Sequence, residues 1–140
     1  RVLCHRDYHS RNLMQHGGRL YWIDYQDARM GPSTYDLASL LRDSYVSLDE
    51  EFVRDRAEEF RQKGAPDETR ETFQQRFELM SIQRNLKALG TFGYMAVIRS
   101  NPVYLPYIPG TLAHVRRNLD RHPELSSLAS VLRRHLEELK

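Results

Sequence analysis

A polar octet, HRDYHSRN at positions 5–12, lies between two apolar runs, Val2-Leu3-Cys4 and Leu13-Met14. A loop that leaves one strand and returns on another brings the groups at its two ends to one place only if it is a few residues long, as it is here. His16-Gly17-Gly18 comes next with turn residues tolerant of positive φ, and Arg19-Leu20-Tyr21-Trp22-Ile23 alternates and is rich in β-formers, so a hairpin is predicted. Strands are expected over residues 1–4, 12–15 and 19–23, with Gly31-Pro32 as the break that ends this head.

Beyond Pro32 the chain reads as helices. Ser33-Thr34-Tyr35-Asp36 has the S-x-x-D form of a capping box ahead of Leu37, Leu40 and Leu41. Leu48-Asp49-Glu50 opens a second helix with Phe52, Val53, Ala57 and Phe60 on one face, ended by Gly64 and Pro66. From about Glu68 to Ile98, Phe73, Phe77, Met80, Ile82, Leu86, Leu89, Phe92 and Ala96 recur at threes and fours, so one face of a long helix is expected to be buried. Gly90 and Gly93 within it are expected to allow close packing or a bend. The three prolines between Asn101 and Pro109 predict an irregular loop. Two more helices are expected, one with Leu112, Val115 and Leu119, the other running from Leu125 to Leu139. The predicted class is mainly α (α+β), a helical body with a small β-hairpin at one edge.

A chain of 140 residues is enough for one domain. Its 29% charged and 40% hydrophobic residues fit a globular protein, and a formal charge of +2 gives no reason to expect a nucleic-acid partner. Cys4 is alone, so no internal disulfide can form, and no Cys/His cluster has zinc spacing. A reducing compartment, the cytoplasm, is expected. No apolar run approaches the ~18 residues of a membrane span. The sequence begins without Met and directly in an apolar run, so a longer parent is expected.

His5-Arg6-Asp7 followed by Asn12 matches H-R-D-x-x-x-x-N, in which the Asp accepts or orients the proton of an attacking hydroxyl and the Asn binds a metal ion. Asp24 closes the hairpin, where kinase-like folds place the carboxylate that holds Mg²⁺ against phosphate. Asp24-Tyr25-Gln26 is not Asp-Phe-Gly, and no Ala-Pro-Glu segment comes after it. A protein acceptor is therefore disfavoured.

The stretches VLCHRDYHSRNLM, YWIDYQDARMGPSTYDLASLLRDSY and LMSIQRNLKALGTF resemble the aminoglycoside phosphotransferase-like superfamily, and in particular the bacterial kinases that phosphorylate the anomeric hydroxyl of N-acetylmuramate and N-acetylglucosamine. The resemblance implies a kinase-like C-terminal lobe, with residues 1–32 as catalytic loop and metal-binding hairpin and 33–140 as helical subdomain. It implies ATP as donor, Mg²⁺ as cofactor, Asp7 as catalytic base, and Asn12 and Asp24 as metal ligands. His5 and Asp36 would support the loop, with simple capping as the other reading of Asp36. For Arg6 a local salt bridge is expected. The N-terminal lobe with its Gly-rich phosphate loop and strand Lys is absent from these residues, so the chain alone is expected to be inactive.

The acceptor is the least determined part. His9 and Arg11 lie within the loop and are candidates for binding it, with Arg11 suited to a carboxylate; Asp27 is a further candidate for metal or substrate, or a solvated acid. Gln83, Arg84, Asn85 and Lys87 interrupt an apolar helix and would meet a sugar, although a solvated face is the commoner reason for such a cluster. Tyr94, Tyr104 and Tyr107 are candidates for stacking on a sugar ring, or edge-of-core residues. An aminoglycoside, choline or homoserine acceptor, and a non-catalytic binding domain, remain alternatives. Val2-Leu3-Cys4 and Val103-Tyr104-Leu105, if exposed, predict dimerisation.

Overall fold

The computed structural model describes residues 1–139. β1 (Val2–Cys4) does not pair with the strand after the loop; it pairs antiparallel with β4 (Arg29–Gly31), setting Val2 opposite Gly31 and Cys4 opposite Arg29. β2 (Leu13–His16) and β3 (Arg19–Trp22) form a separate hairpin with Leu13 opposite Trp22. Its turn works as the sequence suggests, with Gly17 and Gly18 at φ +54° and +73°, a conformation that costs glycine nothing. β4 leaves no mark in the sequence, because a three-residue strand ending at Gly31-Pro32 has no period to detect.

Gly31 has a packing reason of its own. A Cβ placed there would stand 2.9 Å from Cys4 Sγ, and that thiol reaches the Pro32 carbonyl at 3.3 Å. The missing side chain is what lets β1 lie against β4. Burial, followed by the nearby Asp36 carboxylate, pushes the Cys4 thiol above its ordinary pKa.

The helical body is α1 (Tyr35–Leu41), α2 (Glu50–Gly64), α3 (Arg70–Val97), α4 (Ile108–Arg121) and α5 (Ser126–His135). At 1.5 Å per residue α3 is about 42 Å long, and it serves two cores in series. Phe73 and Phe77 of α3 pack with Ala38 and Leu41 of α1 and Val53 and Ala57 of α2. Further along, Ile82 packs with Leu112, Val115 and Leu119 of α4 and Ala129 of α5. Asp49 caps α2 by accepting from the Glu51 and Phe52 amides, and Thr69 caps α3 by accepting from Thr72.

Four local expectations are corrected. Residues 102–107 are not an irregular loop but a 3-10 helix (Pro102–Tyr107), and Pro109 lies in the first turn of α4, where its missing amide hydrogen is not needed. The last helix stops at His135, and Leu139 instead enters the core from a separate 3-10 turn (Glu137–Leu139). Gly90 and Gly93 do not serve close packing, since a Cβ at either would meet nothing within 4 Å. The capping box does not form: Thr34 is the N-cap of α1 and makes no side-chain cap bond.

Among the described residues no helix is long and apolar enough to cross a membrane. Leu3, 70% exposed, shares an apolar surface with Trp22 and Tyr25 of the head; Val103 and Leu105 are exposed as well.

Candidate functional site

Asp36, freed from capping, turns toward the loop. Its Oδ2 accepts from the His5 amide at 2.6 Å and its Oδ1 from the Arg6 amide at 2.9 Å. These bonds hold Arg6 at φ +79°, a left-handed conformation that costs a non-glycine residue about 1–2 kcal/mol. The other end of the loop is tied by Asp43, just past α1, whose Oδ2 accepts from the Ser10 amide and Oδ1 from the Tyr45 amide, each at 2.8 Å. Two carboxylates of one short segment thus fix both ends of HRDYHSRN to the helical body.

Within the loop, His5 Nε2 lies 3.0 Å from the Ile23 carbonyl, joining the loop base to the hairpin. The His5 ring stands 5.7 Å from Tyr8, which in turn meets Trp22 edge-on. Asn12 Nδ2 donates to the Asp7 carbonyl at 2.9 Å and reaches Asp24 Oδ2 at 3.5 Å. Its amide oxygen is left for another partner. Asp24 is also left-handed, at φ +65°, and Gln26 donates to its Oδ1 at 2.8 Å. Arg6 makes no ion pair among the described residues, contrary to expectation. Its guanidinium lies 5.8 Å over the Tyr35 ring.

Asp7, His9 and Asp24 line a cleft of about 400 Å³ to which α3 contributes Arg84, Lys87 and Thr91. Spacings of three and four residues put these three on one stripe of the helix. Arg84 is no solvated residue: its side chain is 10% exposed, Tyr35 Oη and Ser39 Oγ accept from it at 2.8 and 3.1 Å, and it lies 4.8 Å over the Tyr35 ring. From there it meets Asp7 Oδ1 at 3.4 Å, while Lys87 Nζ approaches the same oxygen at 3.6 Å. Asn85 is buried and donates to the Arg42 carbonyl; Gln83 alone of the quartet is simply exposed. The only signal for Arg84 and Lys87 in the sequence is that interruption of an apolar stripe. Asp43 gives none, because the bond it makes is 33 residues away in sequence.

His9 lines the cleft with its ring 5.3 Å from Tyr45, and burial pushes the imidazole below its ordinary pKa. Arg11 is drawn elsewhere. Its guanidinium lies over Tyr45, Tyr107 and Tyr104 at 4.0, 5.0 and 5.8 Å and donates to Tyr107 Oη at 2.8 Å. Tyr104 in turn stacks on Phe92, which makes it and Tyr107 packing residues, although Tyr104 also borders the cleft. Tyr94 stays exposed. Asp27 is on the exposed surface with Arg29 3.9 Å away, and is not part of the cleft wall.

Asn12 and Asp24 supply one amide oxygen and one carboxylate. Among the described residues no group of three or more His, Cys, Asp or Glu forms a metal cluster. Such a sparse set suits Mg²⁺, which keeps waters and takes phosphate oxygens to complete its shell.

Residues 1–72, which hold every element of the loop, hairpin and α1, match the model of the phosphotransferase enzyme family. The chain belongs to that family. It is also similar to proteins named N-acetylmuramate/N-acetylglucosamine kinase, being 41% identical over 137 residues to the one from Neisseria meningitidis, a match covering 94% of this chain and 41% of the relative. The Pseudomonas putida protein of that name is 35% identical over 94% of this chain and 40% of its own length. The Caulobacter vibrioides protein is 30% identical over 77% of this chain and 31% of its own length. The chain therefore spans about two-fifths of the length of the first of these relatives.

Proposed function

We propose that this chain serves an ATP-dependent kinase that phosphorylates an amino sugar, N-acetylmuramate or N-acetylglucosamine, on its anomeric hydroxyl. The observation that carries the reading is Asp7, whose carboxylate lines a cleft with Asp24 and is met by the two cations Arg84 and Lys87, and whose backbone carbonyl accepts from Asn12. The names of the relatives supply the acceptor.

On this reading Asp7 is the catalytic base. Arg84 and Lys87 occupy its Oδ1, so Oδ2 is the oxygen that accepts the proton of the acceptor hydroxyl and aims that hydroxyl at the phosphorus. Asn12 through its amide oxygen and Asp24 through its carboxylate would hold Mg²⁺. An Mg²⁺ ion held by Asn12 and Asp24 would supply positive charge to offset that of the transferring phosphoryl group. Asp36, Asp43 and His5 keep the loop in its left-handed geometry, which fixes where Asp7 points.

Residues 1–32 act as catalytic loop and metal hairpin and residues 33–140 as the acceptor-side helical subdomain. A second lobe supplies the phosphate cradle and covers the apolar surface at Leu3, Trp22 and Tyr25. Without that cover the chain self-associates, so a strictly monomeric species in sedimentation at high concentration would refute this point. Use of ATP and a lone cysteine that can form no internal disulfide support a cytoplasmic location for the enzyme.

Phosphorus NMR of the protein in its full natural length, with Mg-ATP and each sugar, tests the proposal. An anomeric phosphate signal is expected, and Asp7→Asn should slow its appearance by about 10²–10⁴-fold, the usual contribution of a general base. Asp7-dependent hydrolysis of ATP with no sugar phosphate would keep the phosphotransferase and remove the sugar. Untouched ATP would leave a binding domain.

A further inference from the structure

Arg84 and Lys87 both face one oxygen of Asp7, but they are held differently. Arg84 is nearly buried, with Nη1 donating to Tyr35 and Nη2 to Ser39. It balances Asp7 from a fixed position. Lys87, one turn further along α3, is 46% exposed, and among the described residues its ammonium has Asp7 as its only partner. One carboxylate does not need two cations, and Arg84 already stands 3.4 Å from Asp7 Oδ1. The surplus charge is on a flexible four-carbon stem that can swing away from Asp7. It lines the same cleft as Asp7, Thr91 and Tyr104, within reach of a group on an acceptor held by Asp7. Arg11, the other cation near this end, is unavailable because three tyrosine rings and the Tyr107 hydroxyl hold it.

We infer that Lys87 reads an acid group on the acceptor, so that the cleft favours a sugar carrying a carboxylate next to its ring over the neutral sugar without one. The inference rests on the amino-sugar kinase reading above. When the acid sugar enters, Lys87 leaves Asp7 Oδ1 for the carboxylate. Asp7 then keeps Arg84 alone. Discrimination of this kind acts through binding of the acid group.

The test compares kcat/KM for N-acetylmuramate, which has the carboxylate, and N-acetylglucosamine, which lacks it, in the full-length wild type, Lys87→Met, Lys87→Gln and Lys87→Arg. Removing one half-exposed charged hydrogen bond should lower the muramate-to-glucosamine ratio about tenfold in the Met and Gln variants. Lys87→Arg should keep the ratio within about threefold, because the charge is retained. A ratio that does not move, or a parallel loss on both sugars, would overturn the inference; the parallel loss would mean that Lys87 serves the phosphoryl group. If the wild type phosphorylates neither sugar, the kinase reading itself falls and takes this inference with it. Thermal melts of the three variants separate these results from misfolding, and two neutral replacements keep the comparison open if one fails to fold.

Discussion

Replacing Asp36 by Ala removes the anchor of the loop without touching the cleft. Two amide-to-carboxylate bonds are lost, at 2.6 and 2.9 Å. Charge-assisted bonds contribute about 1.5 kcal/mol each at the lower end of their range, appropriate to a half-buried site, for about 3 kcal/mol together. Some of that returns, because Arg6 is then free to leave φ +79°, which relieves about 1 kcal/mol of backbone strain. The net destabilisation is about 2 kcal/mol, or about 6 °C in Tm for a domain of this size. Amide hydrogen exchange gives the sharper assay. The His5 and Arg6 amides should lose protection in Asp36→Ala, while amides of the Phe77 region in α3 keep theirs, and Asp36→Asn should fall between because it retains one acceptor. A melting point within about 1 °C of wild type, with both loop amides still protected, would show that Asp36 does not hold the loop and that its bonds are incidental.

The packing leads to three other expected outcomes. Arg42 forks onto Glu50 at 2.6 and 2.9 Å, with Arg117 bound to the same carboxylate, and these bonds hold its pKa down to about 2 from 4.5; a lowered folded-state pKa stabilises above pH 4.5 and loses that stabilisation as pH falls toward 2. With Glu50 44% exposed, screening limits the effect to about 1 kcal/mol, so urea unfolding from pH 5 to 2.5 should be steeper for wild type than for Glu50→Gln, and equal slopes would remove the ion pair from the account. Gly31→Ala should cost about 1–3 kcal/mol through the clash with Cys4 Sγ, and its cost should shrink when Cys4→Ala is present; simple additivity in that double-mutant cycle would refute the contact. Gly90→Ala should raise stability by up to about 1 kcal/mol, since a methyl there meets nothing and helix propensity improves, and a lower Tm would reveal a packing role for Gly90 that the structure does not show.

The class of fold, the hairpin and the positions of the five helices are readable because each rests on local signals: a period of two, a period of three to four, a Gly-Gly turn, an Asp or Thr cap. The loop motif and Asp24 are readable for the same reason, since chemistry that needs an acid and an amide at one place within one short loop leaves a fixed spacing. The partners of Asp36 are not. S-x-x-D is a capping pattern by spacing, but a carboxylate bonds to whatever amide the tertiary structure presents, and here that is the loop backbone 30 residues earlier. Arg84 and Lys87 read mainly as solvated residues because helical periodicity records which face is apolar, not what another segment brings to the polar interruptions. The loop offers Asp7 at that point. Arg11 shows the reverse: a cation within the motif that is drawn away by Tyr104 and Tyr107, more than ninety residues downstream. Local sequence determined which elements form and which loop carries the acid and the amide; only the packing of α1 and α3 against that loop decided which side chains complete the site, because those contacts join groups with no fixed separation along the chain.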